Sequence, residues 1–465
     1  MPLFRLAAIV VGALVAPIVS PSVIAAASVA TPPSSPLKVQ DCDFGEVYAF
    51  ASAGCAFTLT NTGGTPLTLD IVPVQPDHNT ATPSHVTLAP HASERIAASV
   101  NTRNIAGEIA WTFRIDGAGA GPMFARASGF VMSVLDDPRP RIAFGDVDVA
   151  TGSVTKSVAL ASSVTPGFRI MKILSAPPFL HAAMGADGRS VTTEVGEDAP
   201  SGPFDEMVKL VIDSPQQPEA WVQVTGNVKG DIGPEKNPHW FGTVPWTERR
   251  TLAVDLIDSH GRAFTIGKVT AHPDLAGRPL DATFTSRDCD PARRGCRTLV
   301  IDVGKDQQPG FFKYDLDVPL PDQGKHLNLS IFGIFAPPPA PAGIAAPTPG
   351  IQKVEMPKPP DANAPVPPLK VTPTPPGEGP LLKWRVAHQG NVHGYQVFRG
   401  DSPDGPFTVV GAHMVDAVDN GTGPVEYHWR DTTAMKGHTY WYYIAVMYKT
   451  GVRQALSGPQ KTIAK

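Results

Sequence analysis

The sequence predicts an all-β protein in which several β-sandwiches follow one another along the chain. The tetrapeptide Phe-Gly-x-Val occurs three times, at Phe44–Val47, Phe144–Val147 and Phe241–Val244. After each copy, runs with hydrophobic side chains at every second position recur about every ten residues, separated by turn residues. Short strands at this spacing are typical of sandwiches. A repeat period of about 100 residues indicates an array of modules rather than a catalytic motif.

The composition suits short strands joined by turns. Of the 465 residues, 50 are Pro and 43 are Gly, and the charged share of 18% lies below the average for globular proteins. The length is sufficient for about three to five domains of ordinary size. The net charge is −4, and no stripe of Lys and Arg with interleaved aromatic residues occurs. A nucleic-acid partner is therefore not predicted.

The N-terminus has the pattern of a secretory signal peptide. Arg5 precedes the apolar stretch Leu6–Ala16, and small-residue sites place cleavage after Ala27 or after Ala30. We predict that residues 1–27 are a signal peptide and that the mature protein is periplasmic or secreted. An uncleaved anchor is the alternative, although Pro17 and Pro21 interrupt the apolar residues that continue the stretch through Ile24. No membrane span is expected after cleavage, since no later stretch reaches ~18 apolar residues.

Four cysteines fit an oxidising compartment. Cys42 and Cys55 flank the first Phe-Gly-x-Val, and Cys289 and Cys296 enclose a turn-rich segment. Of the three possible connectivities, we favour the local one, which pairs Cys42 with Cys55 and Cys289 with Cys296. Metal binding is the alternative, but the spacings are not those of zinc sites and no His is adjacent. We predict two disulfides, and we predict no metal-binding or cofactor-binding residue.

Each Phe-Gly-x-Val opens a module, and we place the three modules at residues 37–134, 138–230 and 238–336. In the first module, Asn61–Gly64 is predicted to be a hairpin turn between two alternating strands. In the third module, Ala263–Val269 is predicted to be a strand that follows a turn.

These residues resemble a bacterial family of unknown function whose domains are Hydin-type (ASH-like) immunoglobulin repeats. That family combines Phe-Gly-x-Val, a strand, an Asn-x-Gly turn and a strand with Pro-Leu-x-Ile. The match is closest in the first module, at Asn61-Thr62-Gly63 and Pro66–Leu69, whereas the other two modules keep only the opening tetrapeptide. The resemblance implies immunoglobulin-like sandwiches and an extracytoplasmic location, and it implies no activity.

Residues 337–380 contain 16 prolines and no aromatic residue. We predict a semi-rigid Pro-rich linker that holds the last module away from the others, with Pro-x-x-Pro ligands as the alternative. Residues 381–465 resemble a fibronectin type III domain along their whole length. The resemblance implies that five residues form the core, and it places Tyr440 at a tyrosine corner. The five are Trp384, Tyr395, Tyr440, Tyr442 and Leu456.

Three aromatic residues form a candidate binding face in this last module. Phe398, Trp441 and Tyr443 are out of phase with their inward neighbours, so we predict that they share the outer face of one sheet. Exposed aromatic rings stack on sugars or dock a protein strand. The alternative is that they pack against the linker or a neighbouring module.

Other motifs in the sequence specify no reaction. Arg399-Gly400-Asp401 spells the integrin attachment sequence, but we expect it at a strand end rather than in a displayed loop. No His-Glu-x-x-His, no Gly-x-Ser-x-Gly and no phosphate-binding glycine loop occurs. We name no catalytic residue and predict that the chain is not an enzyme, with an unrecognised site at a module junction as the alternative.

The predicted function is that of an exported, non-catalytic, multi-domain protein. It would act in protein–protein interaction or scaffolding at the bacterial cell envelope, with an envelope or secreted protein as partner. The alternative is a glycan-binding accessory protein that holds polysaccharide on the aromatic face. The sequence leaves open which partner it binds, its oligomeric state, and whether it stays in the periplasm.

Overall fold

A computed structural model describes residues 35–74, 79–117, 122–234, 239–273, 279–289, 293–305, 307, 310–336, 368–418 and 423–464. The predicted signal peptide and most of the predicted linker lie outside the described residues. Within these ranges the regular structure is strand, apart from the short 3-10 turns Val149–Thr151 and Pro321–Gln323. The prediction of an all-β chain of sandwiches is therefore confirmed. No described helix is long and apolar enough to span a membrane.

The first sandwich consists of two facing sheets. Its strands are β1 (Leu37–Gln40), β2 (Cys42–Tyr48), β3 (Ser52–Asn61), β4 (Leu67–Pro73), β5 (Asn79–Thr82), β6 (His85–Leu88), β7 (Ser93–Asn101), β8 (Gly107–Asp116) and β9 (Met123–Met132). One sheet has the order β1-β3-β7-β5 and the other β2-β9-β8-β4-β6. Alternate residues point inward, and the core between the sheets holds the fully buried rings of Phe57 and Phe113.

The second sandwich repeats this plan with fewer strands. They are β10 (Arg141–Val147), β11 (Val154–Ala159), β12 (Ile170–Ser175), β13 (Leu180–Met184), β14 (Ser190–Val195), β15 (Gly202–Ile212) and β16 (Glu219–Val228). The sheets have the orders β10-β16-β15-β12 and β11-β14-β13. Each sandwich has its own hydrophobic core, and here the core includes Phe168 and Leu210.

The third sandwich follows the same strand order again. Its strands are β17 (Ile232–Pro234), β18 (His239–Pro245), β19 (Arg250–Asp258), β20 (Thr270–Ala271), β21 (Ala282–Asp288), β22 (Cys296–Val303), β23 (Gly310–Leu320) and β24 (Lys325–Ala336). The sheets have the orders β18-β24-β23-β20 and β17-β19-β22-β21. Its core centres on Phe312, whose ring stacks on Phe335 at 4.2 Å between centroids.

The C-terminal sandwich begins inside the predicted linker. Its strands are β25 (Lys370–Val371), β26 (Leu381–Val386), β27 (Val392–Gly400), β28 (Thr408–Asp416), β29 (Val425–Arg430), β30 (Thr439–Tyr448), β31 (Arg453–Ala455) and β32 (Gln460–Ile463). One sheet has the order β25-β29-β26, and the other has β28-β27-β30-β31 with β32 also on β30. Because β25 pairs with β29, and Arg430 donates to the carbonyl groups of Pro375 and Gly379, residues 368–380 belong to this sandwich.

Each copy of Phe-Gly-x-Val forms the same local structure. β2, β10 and β18 run parallel to the last strand of their own sandwich, and each pairing shifts register at the Phe-Gly step. Gly45, Gly145 and Gly242 have φ of +73°, +71° and +86°, in the left-handed region that glycine favours. A bulge of this kind bends the strand and re-aims its side chains. Phe144 and Phe241 consequently lie buried in the core.

Two local predictions are wrong. Asn61–Gly64 is not a hairpin turn, because β3 and β4 lie in different sheets. The buried Asn61 side chain bonds the carbonyl groups of Thr65, Leu88 and Ala89 and so fixes the crossing between sheets. Ala263–Val269 is not a strand, because no ladder runs along it: the Thr265 N–H donates to Asp322 Oδ2, and the Gly267 N–H donates singly to the Pro319 carbonyl near the end of β23.

The implied core of the last module is mostly present. Trp384 and three tyrosines pack together in the C-terminal sandwich. Leu456 does not belong to this core, since 43% of its surface is exposed after β31 ends.

Candidate interaction surfaces

The outer sheet face of the C-terminal sandwich packs on the first sandwich. Met414 of β28 and Met447 of β30 form a small hydrophobic cluster with Phe130 of β9, and Met132 borders it. The His393 imidazole stacks on the Phe130 ring, with centroids 3.7 Å apart. The expectation that a spacer holds the last module away from the others is therefore wrong. The module instead lies against the first sandwich, and the apolar contact explains why.

Arg453 is the central polar residue of this contact, which we call the docking interface. Its guanidinium is buried and donates three hydrogen bonds. Nε bonds Gln396 Oε1 at 2.8 Å, Nη1 bonds Asp136 Oδ1 at 3.0 Å, and Nη2 bonds the Ser133 carbonyl at 3.0 Å. Asp136 and Ser133 lie between the first and second sandwiches, so one arginine ties the C-terminal sandwich to their junction. A buried charge is stable only when it is paired and bonded in this way.

The edge of the docking interface carries further polar contacts. The backbone N–H of Glu108 donates to the Lys449 carbonyl at 2.8 Å. The Glu108 carboxylate lies 3.5 Å from Lys449 Nζ and 3.2 Å from His393 Nδ1. A side chain at Gly107 would collide with the Lys449 backbone, so glycine is required for this close approach. Apolar, charged and backbone contacts thus coincide on one surface.

The three predicted face residues are not all exposed. Phe398 is fully buried, and its ring stacks on Tyr443 at 4.6 Å between centroids. Burial raises the pKa of Tyr443, while a hydrogen bond with Ser163 of the second sandwich acts in the opposite direction. Trp441 is half-buried, with Lys461 Nζ 5.7 Å from its ring centroid. The prediction of one exposed aromatic face is therefore wrong for Phe398, because this side of the sheet is covered.

The Arg-Gly-Asp sequence is not displayed as a ligand. Arg399 donates to Asp431 Oδ2 at 2.8 Å and to Thr433, and its guanidinium lies over the Tyr440 ring. Burial acts to raise the pKa of the Asp431 carboxyl, but hydrogen bonds from Thr433 and Tyr442 together lower it by more. The pKa of this carboxyl therefore lies below its ordinary value. The arginine therefore stabilises the sandwich, as the strand-end position predicts.

Both predicted disulfides are confirmed. Cys42–Cys55 joins β2 to β3 and so links the two sheets of the first sandwich, whereas Cys289–Cys296 closes the β21–β22 hairpin. Asp255 lies close to the second pair. These sulfurs are bonded to each other, and Asp255 pairs with Arg293 Nη2 at 3.0 Å. The group is a closed disulfide beside an ion pair and offers no thiolate to a metal.

The second and third sandwiches meet through backbone bonds. Ser201 N–H donates to the His326 carbonyl at 2.9 Å, and Asn328 N–H donates to the Ser201 carbonyl at 2.7 Å. Nearby, burial raises the pKa of Glu206 to about 7, and the negative charge of Asp315 adds to the effect. Lys313 Nζ lies 3.5 Å from Asp315 and partly offsets it.

A cavity of about 570 Å³ opens beside this junction. Its lining consists mainly of glycine, proline and aliphatic residues, and Asn227 and Lys229 supply its polar side chains. Acid–base or nucleophilic catalysis needs two positioned polar groups with matched pKa values. Among the described lining residues, one lysine and one amide do not make such a pair.

Sequence reasoning did not find the residues of the docking interface. Arg453, Glu108 and Phe130 come from distant parts of the chain, and no motif surrounds them. An isolated Arg in a short strand near the C-terminus is the one local signal, and it is weak.

The comparisons with known proteins add no family. No family model and no curated protein matches the sequence. Solved structures that are similar include three immunoglobulin domains of titin, at 12% identity and TM-score 0.16, covering 66% of this chain and 100% of that one. A PapD-like domain of human CEP192 is 14% identical, with a TM-score of 0.20, and the match covers 25% of this chain and 99% of that domain's chain. The sialic acid binding region of a Streptococcus sanguinis adhesin is 10% identical, with a TM-score of 0.18, and the match covers 65% of this chain and 78% of that chain.

Proposed function

We propose that this chain is an exported, non-catalytic scaffold that binds another protein of the bacterial cell envelope. The observation that carries the proposal is the docking interface. Three separate stretches, around Glu108, Asp136 and Arg453, meet there and fasten the C-terminal sandwich across two others. A chain assembled through sandwich-on-sandwich contacts presents its remaining faces in fixed positions, which suits the binding of a protein partner.

The finer assignments are part of the same proposal. We propose Hydin-type repeats at 37–134, 138–230 and 238–336, supported by the repeated bulge at Phe-Gly. We propose a fibronectin type III domain at the C-terminus. Its support is Tyr440, whose hydroxyl accepts from the Met435 N–H at 3.3 Å, as in a tyrosine corner.

Export and the absence of catalysis rest on separate arguments. Two disulfides suit an oxidising compartment, and we propose the periplasm or the cell exterior. The proposal that the chain is not an enzyme is supported by the cavity beside Lys229, whose described lining residues include no acid–base pair. The signal peptide at residues 1–27 remains a prediction.

A pull-down tests the scaffold function. Tagged full-length protein is incubated with an envelope extract of its own host, and bound proteins are identified by mass spectrometry. We expect one envelope protein to be enriched reproducibly. The Arg453→Met variant, which disturbs the docking interface, tests whether the partner binds only when the C-terminal sandwich is docked on the others. Enrichment of no envelope protein by the wild-type chain would overturn the proposal.

Glycan binding is the second candidate function, now resting on Trp441. Part of the surface of this residue stays exposed, and the Lys461 ammonium lies over its ring, 5.7 Å from the centroid. A tryptophan next to a cation suits stacking on an acidic sugar. The test is affinity electrophoresis in gels containing host polysaccharide. Trp441→Ala should lose retardation, and an unchanged mobility would rule this candidate out.

A further inference from the structure

One sheet of the third sandwich ends in a regular, open edge. β21 is the last strand of the order β17-β19-β22-β21, and among the described strands it pairs with β22 alone. Its 7 residues run opposite β22 without a shift of register. It is the longest described edge strand whose ladder is regular in this way. A regular edge of this kind is a template for pairing with another strand.

The other long edges carry features that hinder such pairing. β2, β10 and β18 contain the bulge at Phe-Gly, and the ladders of β12 and β28 also shift register. The strand β11 exposes Lys156, and β26 exposes Lys383 and Arg385. Bulges and charged side chains, lysine above all, protect edges against strand addition. β21 contains no bulge, no proline and no lysine, and its one cation, Arg287, lies near its end.

The backbone groups of every second residue of β21 point to the open edge. The Gly304 N–H donates to the Asp281 carbonyl at 2.8 Å, so these two residues form a hydrogen-bonded pair. Such pairs recur at every second residue of an antiparallel ladder, and the odd-numbered residues of β21 therefore bond β22. The N–H and C=O groups that face outward belong to the even-numbered residues, and no described residue bonds them. These residues include Ala282, Phe284 and Ser286.

The side chains along this edge form a self-complementary pattern. Ala282 and Phe284 pack against the core, so the exposed odd-numbered side chains share the outer face. An acid and a base lie at the two ends of this row, with two threonines between them. Neither the acid nor the base forms an ion pair or a side-chain hydrogen bond with another described residue. In chain order the row is Asp281, Thr283, Thr285 and Arg287.

We propose that β21 pairs antiparallel with β21 of a second copy of this chain. A two-fold axis beside Phe284 places Ala282 opposite Ser286 of the second copy, so the outward backbone groups bond one another. The same register places Asp281 opposite Arg287 of the second copy. Opposite charges across adjacent strands stabilise their pairing. A shift of two residues in either direction would separate both ion pairs, and the charges therefore select this register.

A single pair of short strands predicts a weak dimer. Stable interfaces bury about 800 Å² on each partner, and one edge strand supplies less than that. We therefore expect a reversible, concentration-dependent association that joins the two sheets into one. This inference is independent of the proposed envelope partner, since its test requires purified protein alone.

Sedimentation velocity of the full chain over a wide concentration range tests the proposal. We expect the wild type to shift from monomer toward dimer as concentration rises. Arg287→Asp and Asp281→Arg should each raise the dissociation constant at least tenfold, because each places like charges opposite one another twice. Arg250→Asp is the matched control, since Arg250 is exposed on β19 of the same sheet and β22 separates it from β21. The control should associate as the wild type does.

Mixing the two charge variants tests the register itself. In a heterodimer of Arg287→Asp with Asp281→Arg, an acid again lies opposite a base at both ends of the paired strands. We expect the equimolar mixture to dimerise at concentrations at which each variant alone is monomeric. A chain that carries both substitutions should associate like the wild type. Thermal melting confirms that each variant is folded before it is analysed.

The outcomes are distinguishable. Recovery of the dimer in the mixture and in the doubly substituted chain, with wild-type association of Arg250→Asp, supports the proposal. A wild type that stays monomeric at every concentration overturns it. A mixture that fails to dimerise also overturns it, and so does a loss of association in Arg250→Asp equal to that in Arg287→Asp.

Discussion

Replacing Arg453 by Met should release the C-terminal sandwich from the other sandwiches. Only 1% of the Arg453 side chain is exposed, and its loss leaves acceptors on Gln396, Asp136 and Ser133 without their donor. Removing one partner of a buried ion pair costs about 3–5 kcal/mol. Asp136 keeps two hydrogen bonds from Ser163 and is 26% exposed, so we expect a value near ~3 kcal/mol. The docked population then falls by about a hundredfold relative to the undocked one.

Hydrogen–deuterium exchange and small-angle scattering of the full chain measure this change. In Arg453→Met, amides of β8 and β9 near Phe130 should exchange faster, and the radius of gyration should increase. Arg385→Met is the matched control, because Arg385 is exposed on β26 in the opposite sheet. It should leave both readouts at wild-type values. A folded Arg453→Met protein with unchanged exchange and unchanged radius would refute the reasoning.

Three further predictions concern the individual sandwiches. Phe144→Ala should destabilise the second sandwich by about 3–5 kcal/mol, and Phe44→Ala should cost less because Phe44 is half-buried; calorimetry with equal losses would contradict this. The raised pKa of Glu206 means that the folded state binds more protons than the unfolded state between pH 4.5 and about 7. Unfolding free energy should therefore fall as pH rises through that window, and urea titrations of Glu206→Gln should lack that contribution. Replacing both Cys42 and Cys55 by Ser should cost about 2–4 kcal/mol, and an unchanged melting temperature would argue against a stabilising bridge.

The repeated architecture could be predicted because its signals are local. Phe-Gly-x-Val places a glycine where the strand must bulge, and the same parallel pairing follows in each sandwich. The pairing of Cys289 with Cys296 followed from a short, turn-rich separation. The segment Asn61–Gly64 could not be predicted in the same way. Its sequence is typical of a turn, but a turn sequence does not determine whether the next strand joins the same sheet or crosses to the other.

The docking interface could not be predicted, because its contacts join distant parts of the chain. Arg453 and Asp136 are 317 residues apart in sequence. Alternation correctly placed Phe398 on the opposite face from Tyr395, but both faces of this sheet are covered, and both side chains are buried. A period of two distinguishes the faces of a strand and does not reveal what covers each face. Of the three residues in the glycan hypothesis, Phe398 is therefore inaccessible to a sugar, and Trp441 and Tyr443 are only partly exposed.

In-cell crosslinking of the tagged full-length protein in its native host, followed by mass spectrometry, tests the scaffold function most directly. The account predicts crosslinks to one reproducible envelope protein, together with internal crosslinks between Lys449 and the first sandwich. Capture of glycan-rich material alone, with no protein partner, would contradict it.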